Sequence, residues 1–457
     1  MPKFSRVLIA NRGEIAVRII RACQKLGLET VLTVSEADRK SLPAKMADKI
    51  VIIGPPRPIQ SYLRIDGLIT AATNSGAQAI HPGYGFLAES PEFAEACEKQ
   101  GLIFIGPKAH HIRMMGDKIK ARELAKQLGI PVIPGSPLLA TLYDAEKTAD
   151  LLGYPVLIKA AAGGGGRGMK LVENPNELKA NITEAAAEAR TAFGDERLFM
   201  EHYIANARHI EVQVMGDHWG NLRHFFERDC SLQRRHQKML EEAPCPILSP
   251  EMRQQIYQAA LTLVQHIKYV SAGTVEFVWD QDLNKFYFLE MNTRVQVEHP
   301  VTEMITGVDL VIEQIRVARG EEISYRQEEI VIDGHAIECR ITAESSENGF
   351  QPCPGEITGW KAPVNPQVRL DTHCYAGYVV PPFYDSLLAK LIAKGSNRLE
   401  AIEIMDQALG EFHISGIDTT ISFYRKIMHN EQYRRGQINT KWIERNFTPA
   451  SEMGSRK

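Results

Sequence analysis

Short apolar runs alternate with amphipathic segments along the first part of the chain, up to about residue 115. The run RVLIA (6–10) predicts a buried strand, and residues 14–27 predict a helix. The apolar stripe of this helix consists of Ile15, Ile19, Cys23 and Leu26. Further strands are predicted at 30–34, 49–54, 77–83 and 102–106. This alternation favours a parallel sheet with helices on both faces, which binds ligands beyond the carboxyl ends of its strands.

Two segments, NRGE (11–14) and HPGYGFLAE (81–89), are expected at that ligand-binding edge. A turn-rich stretch near 130–140 then indicates a boundary. From 155 to 204 the pattern predicts a small α/β unit, in which the strand PVLIKA, a glycine run and the strand MKLV precede a helix and the strand RLFMEHYI. A longer region of strands and charged loops follows from residue 205.

The glycine run lies in AAAGGGGRGMK (160–170), between two predicted strands. Consecutive glycines leave backbone N–H groups free to converge on an anion, and Arg167 adds a positive charge. The run does not match the P-loop pattern GxxxxGK[ST]. Its position between two strands, with no helix directly after it, differs from the dinucleotide fingerprint GxGxxG. It predicts a mobile loop that covers phosphates, with a flexible hinge as the alternative.

Two lysines are candidates to contact the same phosphates. Lys159 ends the buried strand PVLIK directly before the glycine run, so its ammonium can reach an anion held by that loop. Lys118 closes the segment MMGDK (114–118). The alternative is a pair of solvated surface lysines, which the apolar residues before Lys159 disfavour for that residue.

A β-hairpin is predicted for the segment TVEFVWDQDLNKFYFLEMNTR (274–294). A register that pairs Asp280 with Phe286 places Glu276 opposite Glu290, with Cβ atoms about 5 Å apart. Two opposed carboxylates repel each other unless a cation lies between them, and Mg²⁺ prefers such hard oxygen ligands. The candidate metal ligands are therefore Glu276, Glu290 and Asn292. The alternative is a hairpin one residue out of register, with both acids in solvent.

The loop EMNTRVQVEHPVTE (290–303) concentrates functional groups next to that metal site. Arg294 can hold a planar anion such as bicarbonate through two hydrogen bonds. Glu298 is a candidate general base, and an ordinary polar loop is the alternative. The charged run ERDCSLQRRHQKMLEEAP (227–244) is expected to be mostly solvated surface, with some residues lining an anion site.

Composition narrows the class of protein. The 457 residues suggest two to four domains at roughly 100–200 residues each. The 53 basic and 56 acidic residues leave a net charge of −3, which argues against nucleic-acid binding. Seven scattered cysteines without a CxxC pair are typical of reduced thiols. No signal peptide and no run of roughly 20 apolar residues is evident, so we expect a cytoplasmic protein outside the membrane.

Together these segments resemble the biotin carboxylase family of ATP-grasp enzymes over nearly the whole chain. The resemblance rests on RVLIANRGEIAVRIIRA, IHPGYGFLAES, GGGGRGM, ERDCSLQRRHQK, EMNTRVQVEHPVTEMITG, GHAIECRI and YDSLLAKLI. It implies an α/β ATP-grasp fold that becomes α+β in its C-terminal part. The implied divisions are a Rossmann-like parallel-sheet domain (1–114), a linker (115–131), a mobile lid domain (132–204), a catalytic ATP-grasp region (205–334), a C-terminal biotin carboxylase domain (335–447) and a disordered tail (448–457).

The resemblance also implies roles for residues at matching positions. The implied ATP-binding residues are Lys118, Lys159, Gly163, Gly164, Gly165, Gly166, Gly168, Glu201, Ile204, His209, Gln233 and His236. The implied ligands of two Mg²⁺ or Mn²⁺ ions are Glu276 and Glu290, with Asn292 close by. The implied bicarbonate-binding residues are Lys238, Arg294, Gln296 and the backbone of Val297. Lys238 and Arg294 count as catalytic, as do Glu298, which deprotonates bicarbonate, and Arg340, which stabilises the biotin enolate. His202 departs from the family pattern, where lysine is expected.

The reaction implied by the resemblance has two stages. Bicarbonate attacks the γ-phosphate of ATP and forms carboxyphosphate and ADP. Carboxyphosphate then gives CO₂ and phosphate, the phosphate accepts the ureido proton of biotin, and biotin attacks CO₂. The chain contains no Met-Lys-Met-type biotinyl hairpin, so biotin is expected on a separate carboxyl carrier protein, with separate carboxyltransferase subunits and a homodimeric enzyme.

The resemblance leaves open which carboxylase the chain serves. A free-standing biotin carboxylase is most commonly a subunit of acetyl-CoA carboxylase, which forms malonyl-CoA for fatty acid biosynthesis. The alternatives are a split pyruvate or other 2-oxoacid carboxylase and another acyl-CoA carboxylase. The segments HPGYGFLAE and QVEHPVTE, together with Arg340, argue against another ATP-grasp ligase. A non-catalytic ATP-binding subunit would require a broken site, but the implied site residues are all present, namely Lys238, Glu276, Glu290, Arg294, Glu298 and Arg340.

Overall fold

The computed structural model describes residues 4–161 and 168–447. Its N-terminal part is a five-stranded parallel sheet with the order β3-β2-β1-β4-β5. The strands are β1 (Arg6–Ile9), β2 (Glu29–Ser35), β3 (Lys49–Gly54), β4 (Ala79–His81) and β5 (Ile103–Phe104). The helices are α1 (Gly13–Lys25), α2 (Leu42–Met46), α3 (Ile65–Ser75), α4 (Pro91–Lys99), α5 (Ala109–Gly116) and α6 (Lys118–Gln127).

Helices cover both faces of this sheet, which confirms the predicted parallel architecture. Ile15 and Ile19 of α1 pack with Ile9 on one face. Leu68 of α3 and Phe93 of α4 pack on the other face. The opposite placement follows from the strand period of two, which sends successive side chains of β1 to opposite sides of the sheet.

A small three-stranded sheet follows, with the order β7-β6-β8 and antiparallel pairing throughout. Its elements are α7 (Leu142–Leu152), β6 (Val156–Ala160), β7 (Met169–Val172), α8 (Pro175–Phe193) and β8 (Leu198–His202). Apolar residues of the strands pack against the two helices. This confirms the predicted small α/β unit. Gly163 to Gly166 and Arg167, between β6 and β7, lie outside the described residues, as does the predicted tail at 448–457.

The rest of the chain is built on an eight-stranded antiparallel sheet with the order β13-β12-β9-β10-β11-β14-β21-β19. Its first strands are β9 (Ala207–Gly216), β10 (Leu222–Arg234), β11 (Gln237–Ala243), β12 (Ser271–Asp280), β13 (Lys285–Asn292) and β14 (His335–Thr342). The short strands are β15 (Glu344–Ser345), β16 (Gln351–Pro352), β17 (Gly355–Glu356), β18 (Gly359–Lys361), β20 (Val379–Val380) and β22 (His413–Ser415). The remaining strands are β19 (Val368–Thr372) and β21 (Leu387–Gly395).

Helices flank this long sheet and bury its apolar side chains. They are α9 (Pro250–His266), α10 (His299–Thr306), α11 (Leu310–Ala318), α12 (Arg398–Glu411), α13 (Ile421–Met428), α14 (Glu431–Arg434) and α15 (Trp442–Phe447). Because β11 pairs with β14, one sheet joins strands that lie far apart in the sequence. Residues distant in sequence can therefore meet on one sheet face.

The charged run at 227–244 forms parts of β10 and β11, and the prediction of a mostly solvated surface is wrong for several of its residues. Arg228, Glu241 and Glu242 are at most 1% exposed. Each has an oppositely charged neighbour: Arg228 pairs with Glu211, Glu241 with Arg340, and Glu242 with Arg398. Charges are buried in proteins when such partners offset the lost hydration. These partners come from other strands and helices, so the run itself did not reveal them.

Candidate active site

One cleft of about 990 Å³ lies where the small sheet, the N-terminal part and the long sheet meet. It is lined by every described candidate residue except Gly168: Lys118, Lys159, Glu201, Ile204, His209, Gln233, His236, Lys238, Glu276, Glu290, Asn292, Arg294, Gln296, Val297, Glu298 and Arg340. Gly168 lies directly before β7, with a left-handed backbone (φ 69°). The fold therefore brings together side chains that are up to 222 residues apart in the sequence, counted from Lys118 to Arg340.

The β12–β13 hairpin carries the two opposed acids, although its register differs from the prediction. Near the turn Asp280 pairs with Lys285, one residue away from the predicted partner Phe286. An irregularity then shifts the pairing between Glu276 and Phe277, and Glu276 faces Glu290 as predicted. An extra residue in one strand moves every pair beyond it by one position. The bulge therefore restores the acidic pair that a regular hairpin with this turn would have separated.

Nitrogen groups of three other residues contact the acidic pair. Asn292 donates a hydrogen bond to Glu276 at 2.8 Å, and Lys118 Nζ lies 3.2 Å from Glu290. His209 Nε2 lies 3.1 Å from Glu276. Burial lowers the pKa of His209, but Glu276 outweighs it and raises that pKa to about 9. A divalent cation suits the oxygens of Glu276, Glu290 and Asn292, because carboxylate and amide oxygens are the ligands that Mg²⁺ prefers.

Lys238 lies at the centre of three buried carboxylates. Its Nζ is 2.5 Å from Glu211, 2.8 Å from Glu276 and 2.7 Å from Glu298. Burial alone would raise the pKa of Glu298, but the Lys238 ammonium outweighs it and holds that pKa below its usual value. Glu298 is therefore a carboxylate at neutral pH, which is the form that can accept a proton.

Glu211 is a member of this cluster that the sequence reasoning missed. It is fully buried on β9, faces Glu276 across the strand pair, and accepts a hydrogen bond from Arg228 at 2.5 Å. Burial opposes ionisation, but Lys238 and Arg228 hold the pKa of Glu211 well below its usual value. The signal was present in HIEVQVM, where His209, Glu211 and Gln213 alternate with apolar residues on one face of a strand.

The loop between β13 and α10 presents the anion-binding groups. Arg294 donates hydrogen bonds to Glu89 and to Gln296, both at 2.8 Å. Gln296 in turn donates to Glu276 at 3.0 Å. The loop is therefore hydrogen-bonded on one side to the N-terminal part and on the other side to the acidic pair. These contacts rule out the alternative of an ordinary solvated loop.

Arg340 of β14 contacts the cluster on the side of Glu298. Its Nη2 lies 2.9 Å from Glu298 and 2.6 Å from Glu241. Its Nε is buried and makes no hydrogen bond to any described residue. Arg340 therefore retains a donor within the lining of the cleft for a further oxygen ligand.

The opposite end of the cleft has a mixed apolar and charged lining. Lys159 pairs with Glu201, which places the strand-ending lysine inside the site and not in solvent. Apolar side chains line the same end, namely Ile133, Leu157, Met169, Phe199, Ile204, Val278 and Leu289. An apolar slot beside convergent lysines suits a planar base attached to phosphates.

Family sequence models match this chain over most of its length. The model for the N-terminal domain of biotin carboxylase matches residues 3–112, and the model for its C-terminal domain matches 338–445. The model for the ATP-binding domain of the carbamoyl-phosphate synthase L chain matches 117–326. The chain is also 50% identical over 443 residues to the biotin carboxylase of Nostoc sp., covering 97% of this chain and 99% of that protein. The chain belongs to the biotin carboxylase family.

Other relatives of this biotin carboxylase chain carry different names. A pyruvate carboxylase subunit from Methanothermobacter thermautotrophicus is 52% identical over 442 residues, covering 96% of this chain and 90% of that protein. A biotin carboxylase of Campylobacter jejuni, solved in a complex with β,γ-ATP, matches with a TM-score of 0.95 and 46% identity, covering 97% of this chain and 99% of that one.

A further structure is the biotin carboxylase domain dimer of the Hydrogenobacter thermophilus 2-oxoglutarate carboxylase, bound to MgADP, ADP and bicarbonate. It matches with a TM-score of 0.94 and 46% identity, and covers 98% of this chain and 100% of that chain. Together the matches confirm the ATP-grasp biotin carboxylase fold and an ATP-dependent ligase activity. Among the described residues, no helix has the length and apolar character that a membrane crossing needs.

Proposed function

We propose that the residues gathered in the cleft carboxylate the biotin of a separate carrier protein, with ATP and bicarbonate as co-substrates. The main support is the buried cluster in which one ammonium, Lys238, touches three carboxylates beside two arginines. This arrangement juxtaposes an ionised base, Glu298, with cations that can hold a small anion. Such a combination is needed to deprotonate bicarbonate while it is bound.

The nucleotide is proposed to bind with its base in the apolar slot and its phosphates toward Lys118 and Lys159. Glu276, Glu290 and Asn292 would hold Mg²⁺ or Mn²⁺, and their oxygen-rich donor set fits these ions. The bound ions would neutralise charge on the transferred phosphoryl group. Solved relatives with MgADP, ADP and bicarbonate support the nucleotide and magnesium assignments.

The two arginines are proposed to serve different stages. Arg294, which is held by Glu89 and Gln296, would bind bicarbonate while Glu298 accepts its proton and its oxygen attacks the γ-phosphate. Arg340 has a free Nε donor at the other side of Glu298. It would stabilise the enolate oxygen that forms when biotin loses its ureido proton.

The parent complex is proposed to be a multisubunit carboxylase with a separate biotin carrier and separate carboxyltransferase subunits. Acetyl-CoA carboxylase is the first candidate, because free-standing members of the family commonly serve it. A split pyruvate or 2-oxoacid carboxylase is the second candidate, favoured by the 52% identity to the pyruvate carboxylase chain of Methanothermobacter. A homodimer is proposed by analogy with the dimeric 2-oxoglutarate carboxylase domain. The cytoplasmic location and the domain bounds stay predictions.

Replacement of Glu298 by glutamine tests the proposed base. Glu298→Gln keeps the volume and the contact with Lys238 but removes the proton acceptor, so bicarbonate-dependent ATP cleavage should fall by roughly 10²–10⁴-fold, the usual contribution of a general base. ATP affinity, measured by equilibrium titration, should stay within about twofold. Unchanged turnover would remove Glu298 from this role.

A matched control is Glu227→Gln, which removes another buried carboxylate that lies outside the lining of the cleft. It should lower thermal stability, because Arg253 loses its partner, without affecting the bicarbonate dependence. The parent complex is tested separately by co-purification and identification of the biotinylated partner. A carrier found with a pyruvate-type transferase would select the second candidate.

A further inference from the structure

Lys390 is a buried lysine behind the anion-binding loop. It lies on β21, and its side chain has no exposed surface. Its Nζ donates a hydrogen bond to the backbone carbonyl of Val297 at 2.8 Å and lies 3.2 Å from Glu14 and 4.0 Å from Asp371. Lys390 does not line the cleft. It therefore contacts the back of the loop whose front carries Arg294 and Glu298.

Three family regions meet at this lysine. Glu14 belongs to the N-terminal domain match, Val297 to the ATP-binding match and Lys390 to the C-terminal domain match. Glu14 also accepts a hydrogen bond from the hydroxyl of Tyr84, which lines the cleft. A short chain of contacts thus runs from the half-buried Tyr84 through the buried Glu14 and Lys390 to Val297.

The carbonyl held by Lys390 lies in the loop 293–298, directly before Glu298. The carbonyl of Val297 and the N–H of Glu298 belong to one planar peptide, so fixing the first fixes the orientation of the second. Glu298 is also the residue that precedes α10, whose first turn is buried. A hydrogen bond at this carbonyl therefore restrains the peptide through which the backbone of Glu298 leads into α10.

The countercharge explains why a lysine can occupy this position. An ammonium removed from water is costly unless anions and hydrogen-bond acceptors replace its hydration. Glu14 and Asp371 are both buried and supply that compensation from two different elements, α1 and β19. The arrangement is built from residues that are far apart in sequence, which makes it a junction and not a local turn.

We propose that Lys390, with Glu14 as its counterion, is a positioning residue that holds the Val297–Glu298 peptide so that bicarbonate and its base meet in the reactive geometry. This inference rests on the proposed assignment of bicarbonate to the loop at 293–298. Its role differs from simple stabilisation, because its loss should misplace the loop and leave the distant nucleotide slot unchanged.

The test variant is Lys390→Met, which keeps an unbranched side chain but removes the charge and the donor. The KM for bicarbonate should rise, and kcat for biotin carboxylation should fall, each by roughly 10- to 100-fold, since a displacement of about 1 Å can cost that much. The KM for ATP should change less than about twofold, because Lys118 and Lys159 keep their places. Equal rises in both KM values, or no change, would overturn the proposal.

Arg398→Met is the matched control. Arg398 is also a largely buried cation paired with a carboxylate, Glu242, but it lies outside the lining of the cleft. It should lower the unfolding temperature while leaving the KM for bicarbonate within about twofold of the wild-type value. A rise in that KM as large as the rise for Lys390→Met would show that general destabilisation is the cause, and would overturn the proposal.

If Lys390→Met does not fold, then Glu14→Gln tests the positioning role of Lys390. It keeps the shape of the side chain and can still accept from Tyr84, but it leaves the lysine with a weaker counterion. A rise of about 3- to 10-fold in the KM for bicarbonate alone would support the proposal, and an unchanged KM would overturn it. A failure of the proposed function would give results different from a failure of the Lys390 proposal. The wild-type enzyme would then show no bicarbonate-dependent ATP cleavage, or Glu298→Gln would keep full activity.

Discussion

The acidic pair of the β12–β13 hairpin offers the sharpest test of the metal site. We predict that Glu290→Gln raises the Mg²⁺ concentration needed for half-maximal ATP cleavage without unfolding the protein. Among the residues that the structure describes, Glu290 has one ionic partner, Lys118 at 3.2 Å, and the two side chains are 28% and 30% exposed. A pair this exposed contributes under about 1 kcal/mol. The unfolding temperature should therefore fall by no more than about 2–4 °C.

The expected effect on the metal is larger. A glutamine keeps one oxygen donor but loses the negative charge, and even partners outside the direct ligand set typically change metal affinity by about 10–100-fold. We therefore expect an increase of at least about tenfold, which corresponds to about 1.4 kcal/mol. The assay is ATP cleavage with bicarbonate across a Mg²⁺ titration at fixed ATP, with the unfolding temperature measured in parallel.

Lys118→Met is the control, because it breaks the same ion pair and leaves the carboxylate intact. It should raise the KM for ATP, and its Mg²⁺ requirement at saturating ATP should stay near that of the wild type. If Glu290→Gln shows the wild-type Mg²⁺ requirement with normal turnover, then the opposed acids do not form a metal site. The bulge that pairs them would then need a different explanation.

Two further predictions concern other parts of the long sheet. Arg340→Lys should lower the rate of biotin carboxylation by roughly 10²-fold or more, because one positioned donor to a developing oxyanion is lost. The rate of biotin-independent ATP cleavage should change only a few-fold. Equal loss of both rates would contradict this role of Arg340. Burial would raise the pKa of Glu242, but Arg398 and His335 hold it at about 2, below the ordinary 4.5. This lowered pKa contributes about 3 kcal/mol of stability that is present above about pH 4.5 and is lost as the pH falls toward 2. Glu242→Gln should therefore lower the unfolding temperature at pH 7 and flatten its decrease between pH 5 and pH 3, and an unchanged pH profile would refute the assignment.

Several features of the site were predictable from local patterns. The apolar run at 6–10 and the stripe on residues 14–27 predicted β1 and α1 within about two residues at each end. The alternation in 274–294 predicted the hairpin and the pairing of Glu276 with Glu290, whereas the cation site between these acids stays a prediction. These inferences succeed because side-chain periodicity and charge are properties of neighbouring residues.

Other features depended on partners that the chain supplies from elsewhere. Arg228, Glu241 and Glu242 lie in a segment that reads as charged surface, and they are buried because Glu211, Arg340 and Arg398 come from other elements. The hairpin bulge is a second example. The bulged strand β12 also pairs with β9, where Glu276 faces Glu211. Pairing on both sides of a strand is decided by the sheet and not by the hairpin alone.

The sequence by itself determined the first strand and helix, the β12–β13 hairpin, the family and the candidate residues that line the cleft. Only the tertiary structure decided that Glu211 completes the cluster around Lys238, that a bulge is what brings Glu276 opposite Glu290, and that Lys390 lies behind Val297. The physical reason is the sequence separation between the residues that interact. Periodicity and motif identity are written in consecutive residues, whereas the burial of a charge is stable only when folding brings its counterion from a distant strand.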